Sequence, residues 1–331
     1  MEVLQAYGLS DSVSSCIPGG TANRNFIIQG GGEERVLRRR NSKYSGEAQL
    51  RYEAEYLRHM AAHGIPVPAP LHNRMGQLWT VSNDGGVYQL YPFLGGQPFD
   101  RERIEQVEDA GRFLAALHDA GESFVPLASR TFPRYDRPAD MMEAVESVRS
   151  DRHSVLLPEE KRIFDFLIAR LQSLQAQLSD TVYWALPAAV IHGDYHPANV
   201  KYAGNRVCGL FDFDWVGVQP RIRDVADGLI YFSGVRDDLL DGGDIFSLTR
   251  ACTFAPERCR AFLQAYQSEA SRRLDDRELA CLPWQMTARL INSRVLALPK
   301  IPSVRYVEML TEGMESPLIW LAEHQESFFV T

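Results

Sequence analysis

The densest polar chemistry of the chain lies in His192-Gly193-Asp194-Tyr195-His196-Pro197-Ala198-Asn199, with a second acidic group close behind in Phe211-Asp212-Phe213-Asp214-Trp215. Ala189-Val190-Ile191 reads as a strand leading into the first segment. Val200-Lys201-Tyr202 and Val207 to Phe211 read as a hairpin around Gly204-Asn205 that leads into the second. The two segments therefore sit on strand ends. A carboxylate and a carboxamide five residues apart, followed by two more carboxylates, suit transfer of a phosphoryl group. Such a reaction asks the protein for positioning and electrostatics: a base to orient a hydroxyl and take its proton, and hard oxygen ligands for Mg²⁺. In that reading Asp194 is the base, and Asn199 and Asp212 hold the metal. If the second strand continues through residue 214, Asp212 and Asp214 face the same side, and both reach the metal.

Other chemistries use some of the same residues. Asp212-Phe213-Asp214-Trp215-Val216 fits the start of a haloacid dehalogenase-type phosphatase, with Asp212 as a covalent nucleophile. That reading wants a parallel sheet after residue 216, where the pattern is helical, and leaves residues 192–199 unexplained. His192, Asp194 and His196 alternate as metallohydrolase ligands would, but further histidines do not cluster with them. A nucleotide-binding pseudokinase would not require Asp194.

The elements that position these groups fall into two parts. Residues 1–95 read as strands plus one helix. Phe26 to Gln29 and Val36 to Arg39 are short β runs, with Gly30-Gly31-Gly32 as their turn. A small-residue loop, Gly19-Gly20-Thr21-Ala22-Asn23, precedes them. A helix from about Gly46 to His63 carries Leu50, Leu57, Met60 and Ala61 on one stripe, with Glu53 inside it, and a carboxylate on an inward face needs a partner. Leu78 to Val81 and Val87 to Leu90 read as further strands, and Tyr91 to Gly96 as a connector. Beyond it helices dominate. Ile104, Val107, Gly111, Leu114 and Leu117 form one stripe that stops at Gly121, and Ile163, Phe166, Leu167, Leu174 and Leu178 form another.

Composition narrows the class. At 331 residues, 45% hydrophobic and 24% charged, the chain has the make-up of a globular protein of about two domains. A net charge of −8 disfavours a nucleic-acid partner. The five cysteines, Cys16, Cys208, Cys252, Cys259 and Cys281, are scattered and odd in number, which suits a reducing compartment. No membrane span and no secretory leader is legible, so the expectation is a cytoplasmic protein, a monomer or homodimer.

His192-Gly193-Asp194-x-His196-x-x-Asn199 followed by Phe211-Asp212-Phe213-Asp214 resembles the aminoglycoside phosphotransferase and homoserine kinase-like family, which also includes choline kinases. Ala115-Ala116-Leu117-His118, Arg223-Asp224-Val225-Ala226, Glu53 and Pro66-Val67-Pro68 extend the resemblance over most of the chain. It implies an α+β, two-lobed protein kinase-like fold. A small β-rich lobe over residues 1–95 would bind ATP, and a mainly helical lobe over 96–331 would hold the catalytic loop and acceptor site. It implies Asp194 as base, Mg²⁺ on Asn199 and Asp212, and a third-strand cation that meets the phosphates and pairs with Glu53. Arg38 is the first choice for that cation and Arg39 the second. Gly20 and Asn23 would cover the nucleotide, and Tyr91, Phe93 and Leu94 would offer backbone groups to the base. The partners expected are a nucleotide triphosphate and a small hydroxyl acceptor: an amino alcohol, aminoglycoside, choline-like amine or sugar. The aromatic residues Trp215, Tyr231, Phe232, Trp284 and Trp320 fit core packing better than an ammonium cage, and the acidic stretch Asp237-Asp238-Leu239-Leu240-Asp241 suits a cationic substrate and, equally, a solvated loop or helix end.

Overall fold

The computed structural model describes residues 2–9, 13–17, 23–127, 130, 133–236, 247, 249–250 and 252–324. Gly20 and the acidic stretch from Asp237 to Asp241 lie outside the described residues. After a short helix α1 (Glu2–Ala6), strands β1 (Val13–Ile17), β2 (Arg24–Gly30) and β3 (Glu33–Arg39) run antiparallel, followed by helix α2 (Glu47–Ala62) and strands β4 (Thr80–Val81) and β5 (Val87–Pro92). The five strands form one sheet in the order β1-β2-β3-β5-β4. Gly31 and Gly32 take φ of 65° and 80° in the β2–β3 turn, the left-handed pair that a tight hairpin demands. Helix α2 buries Leu50, Leu57 and Met60 as its stripe predicts, together with Tyr52 and Tyr56, whereas Ala61 is exposed. Ala61 falls in the last turn, where the chain leaves the core.

The rest is mainly helical: α3 (Ile104–Gly121), α4 (Pro138–Arg152), α5 (Pro158–Gln177) and α6 (Asp180–Trp184). Two short antiparallel ribbons follow, β6 (Ala188–Ile191) with β9 (Gly217–Pro220), and β7 (Val200–Ala203) with β8 (Arg206–Leu210). Helix α7 (Ile222–Phe232), a small ribbon β10 (Gly234–Val235) with β11 (Thr253–Phe254), and helices α8 (Pro256–Glu269), α9 (Asp276–Val295), α10 (Tyr306–Thr311) and α11 (Glu315–His324) complete it. All residues of α7 are buried. Tyr231 and Phe232 are core side chains there, with Phe232 stacked on Phe262, so packing rather than an ammonium cage accounts for them. The α3 stripe is buried from Val107 to Leu117, with Ile104 half-buried at its start, and Gly111 on it lets α8 approach so closely that a Cβ would stand 2.3 Å from the Phe262 carbonyl oxygen. Every named strand pair is antiparallel, which removes the parallel sheet that the dehalogenase reading requires. No helix among the described residues is long and apolar enough to cross a membrane.

Candidate active site

Strand β6 delivers the chain to a tight loop over His192, Gly193 and Asp194. Gly193 has φ of +82°, and a Cβ on it would lie 2.7 Å from the Trp215 carbonyl oxygen, so only glycine fits. The fully buried Asp224 carboxylate of α7 clamps this loop. It accepts from the backbone N–H of His192 at 2.6 Å and of Gly193 at 2.8 Å. His118 of α3 lies 3.2 Å from the same carboxylate and 2.9 Å from the Tyr266 hydroxyl. The two family-like segments around His118 and Asp224 thus meet in space. Burial pushes the Asp224 pKa up, but the hydrogen bond and charge of His118 and the loop N–H groups outweigh it and hold the carboxyl below its ordinary range.

His192 joins the two acidic segments. Its Nε2 lies 2.8 Å from the Phe211 carbonyl, and its Nδ1 accepts from Asp194 N–H at 3.2 Å. Phe211 N–H donates in turn to the Asn199 carbonyl at 2.9 Å. Burial lowers the His192 pKa and favours the neutral ring that this donor–acceptor pattern needs. With both nitrogens engaged, His192 is a structural brace and not a metallohydrolase ligand.

The Asp194 side chain remains 30% exposed, with His196 Nε2 at 3.3 Å from its Oδ2. Desolvation pushes the Asp194 carboxyl up, but His196 pulls it down further by charge and hydrogen bond, so it stays ionised far into acid. Asn199 donates its Nδ2 to the Asp194 carbonyl at 3.0 Å and lies 3.2 Å from His196 Nε2, which turns its Oδ1 away from this loop.

The second acidic segment departs from the sequence expectation. β8 ends at Leu210, and Asp212 takes the left-handed φ of +65°, the one non-glycine residue with positive φ among those described. A turn, not strand alternation, brings Asp212 and Asp214 together. Both converge on Arg38 Nη1, at 3.6 and 3.9 Å. Asp214 is buried, accepts from Asn23 Nδ2 at 2.7 Å, and lies 3.0 Å from Arg40 Nη2. Asp212 Oδ1 is buried without a hydrogen bond, whereas Asp214 Oδ1 is the oxygen that Arg40 Nη2 reaches. Desolvation and the Asp214 charge push the Asp212 carboxyl up to about 6, with Arg38 working against them. Asp212 Oδ1 thus has no partner nearer than Arg38 at 3.6 Å, and a buried carboxylate oxygen left in that state fits a hard divalent cation.

Glu53 is 1% exposed and does pair with an arginine, but that arginine is Arg40, at 2.8 and 2.6 Å, and not Arg38 or Arg39. Side chains alternate along an extended chain, so Arg38 and Arg40 leave β3 on the side of α2, and Arg39 leaves on the other to meet Asp84 at 3.0 Å. Arg40, one residue beyond the strand end, is the one close enough to reach Glu53. Arg38 instead hydrogen-bonds Asn25 at 3.1 Å and faces the two aspartates. The alternation was legible in Arg38-Arg39-Arg40, but which of the two inward arginines reaches Glu53 was not.

A cavity lined by Val36, Arg38, Tyr91, Pro92, Phe211 and Asp212 separates the sheet from the acidic turn. Tyr91 lines it from within β5, paired with Val36, and not from the connector. It is buried, and its hydroxyl donates to Gln89 at 2.9 Å. Strand β5 runs on to Pro92 because the partner strand β3 extends to meet it. The connector proper begins at Phe93, which is exposed and whose N–H is taken by the Glu34 carbonyl at 3.3 Å. Leu94 N–H meets no backbone carbonyl among the described residues. Asn23 sits beside the acidic turn, bridging Asp214 and Asn41 N–H.

Comparison with known proteins settles the class. The family model described as "Phosphotransferase enzyme family" matches residues 15–270. This chain belongs to that family. A homoserine kinase from Rhodopseudomonas palustris is 28% identical over 284 residues, covering 85% of this chain and 78% of that kinase. Among solved structures, a microcompartment-associated aminopropanol kinase superposes with a TM-score of 0.69 at 16% identity, covering all of this chain and 98% of that one. The amicoumacin kinase hAmiN, in complex with AMP-PNP, Ca²⁺ and Ami, gives 0.66 at 15% identity, covering 99% and 92%. The fold is the two-lobed kinase-like fold, and the protein is a small-molecule phosphotransferase, as the motif resemblance implied.

Proposed function

We propose that this phosphotransferase moves the γ-phosphoryl group of ATP to a hydroxyl of a small molecule, with Asp194 as the base. The observation that carries the reading is the buried, unbonded oxygen of Asp212, beside Asp214 on a segment tied by His192 to the Asp194 loop. Asn199, Asp212 and Asp214 would hold Mg²⁺, which when bound neutralises phosphate oxygens. Asp194 orients the acceptor hydroxyl and takes its proton as the new O–P bond forms and ADP leaves. His196 keeps Asp194 ionised, and Arg38 faces the phosphates from β3. Arg40 serves as the internal partner of Glu53 and steadies Asp214. In this reading residues 1–95 bind the nucleotide, with Asn23 over it and Tyr91, Phe93 and Leu94 beside the base. Residues 96–331 carry the catalytic loop and acceptor site.

Calorimetric titration of MgATP tests the nucleotide site. Wild-type protein is expected to bind with an affinity that depends on Mg²⁺, and Asp212→Ala is expected to weaken it at least about tenfold, the loss of one charged ligand. Equal affinity of the two proteins would remove Asp212 from the metal site.

A further inference from the structure

Phosphoryl chemistry does not use every buried charge beside Asp194. Arg289, on α9, is 8% exposed. Its Nε and Nη2 donate to the two oxygens of Asp227 on α7, at 2.6 and 3.1 Å. Asp227 is fully buried, so this two-point pairing fixes the guanidinium plane. It occupies one edge of the fork and leaves Nη1 without a hydrogen bond among the described residues. Asp227 and Tyr231 lie four residues apart on one face of α7, and the Tyr231 ring lies 5.8 Å from that of His196, the partner of Asp194, so Arg289 meets α7 on the face turned to the catalytic loop.

Two further donors share this side. Asn292, three residues along α9 and so on the same face, is 1% exposed, and its Nδ2 has no hydrogen-bond partner. Lys300, just beyond α9, is exposed and makes no ion pair among the described residues, and its surroundings include Asp194 and Lys43. Carboxylates here are already matched: Asp227 by Arg289, and Asp136 by Arg134 at 3.1 Å and Gln285 at 2.6 Å. A cationic acceptor would meet no unshared carboxylate among these described groups apart from those assigned to base and metal. An anionic group would meet unshared donors.

We infer that the acceptor carries a carboxylate as well as its hydroxyl, and that Arg289, held in place by Asp227, binds that carboxylate with Asn292 beside it and Lys300 at the rim. The inference rests on the kinase reading above and narrows its acceptor to hydroxy acids and hydroxyl-bearing amino acids. The transfer is unchanged: the hydroxyl oxygen bonds to the γ-phosphorus, its proton goes to Asp194, and ADP departs. The carboxylate stays intact and serves to orient the hydroxyl.

Acceptors that differ only by the carboxylate test this. ADP release is measured with L-homoserine against 3-amino-1-propanol and with D-glycerate against glycerol, with choline and kanamycin as cationic comparisons. A carboxylate-bearing acceptor is expected to exceed its partner in kcat/KM by about 10- to 100-fold, the worth of a charge-assisted contact. Arg289→Gln should erase that preference, chiefly through KM. Because Arg289→Gln strands buried Asp227, the pair Asp227→Asn/Arg289→Gln is measured beside it, and so is the rim variant Lys300→Glu, expected to raise KM for the carboxylate acceptor about threefold or more. Turnover of no carboxylate-bearing acceptor, or of none better than its partner, overturns the inference. So does an equal fall on both members of a pair with Arg289→Gln, which would assign Arg289 to the transferred phosphate. MgATP titration separates the two levels: no binding to the wild type refutes the kinase reading, whereas binding with turnover of cationic acceptors alone refutes this inference only.

Discussion

Arg40→Met removes the cation at which two carboxylates meet. Arg40 is 0% exposed and Glu53 1% exposed at their side chains, and Arg40 Nη2 lies 2.6 Å from Glu53 and 3.0 Å from Asp214. Methionine fills much of the arginine stem but leaves Glu53 in the core with no counter-charge. Breaking a buried pair from one side costs about 3–5 kcal/mol, a large part of the roughly 5–15 kcal/mol that holds a domain folded. Glu53→Gln is the contrast, since Arg40 keeps Asp214. Its cost should be about 1–3 kcal/mol. Urea unfolding of the three proteins measures both effects. A cost for Arg40→Met under about 1 kcal/mol, or one no larger than that of Glu53→Gln, would show that water reaches the pair and that the argument from burial fails.

Other perturbations follow from the same packing. Asp224→Asn keeps one acceptor but turns an amide N–H₂ toward the loop donors of His192 and Gly193, so it should cost about 2–4 kcal/mol by urea unfolding and lower kcat with it. An unaltered midpoint and kcat would mean that the clamp is dispensable. Gly111→Ala forces α3 and α8 apart at Phe262 and should cost about 1–3 kcal/mol, read as a lower urea midpoint at constant slope. No change there would mean that the two helices slide freely past each other.

How much was legible in the sequence differs by element. The glycine turn at residues 30–32, the amphipathic stripes of α2 and α3 and the hairpin of β7 and β8 followed from local pattern, because turn chemistry and periodicity are local properties. Asp194, Asn199 and Asp212 were legible as a spacing. Three features were not. Asp212 leaves the strand because the chain turns at φ +65° to aim it, and no propensity announces a strained aspartate. Arg40 takes Glu53 because two elements approach just past the strand end, a tertiary distance. The pairs Asp224 with His118 and Asp227 with Arg289 join residues 106 and 62 positions apart, so they exist only once the helices pack.

The central claim is that Asp194 acts on the acceptor and not on the nucleotide. ADP release by Asp194→Ala, with the best acceptor of the panel, beside calorimetric MgATP affinity, tests it most directly. Turnover should fall by at least about 10²-fold, the contribution of a positioned base, while the MgATP dissociation constant stays within about threefold of wild type. Turnover near the wild-type rate with intact MgATP binding would contradict the account and send the search for the base elsewhere in the site.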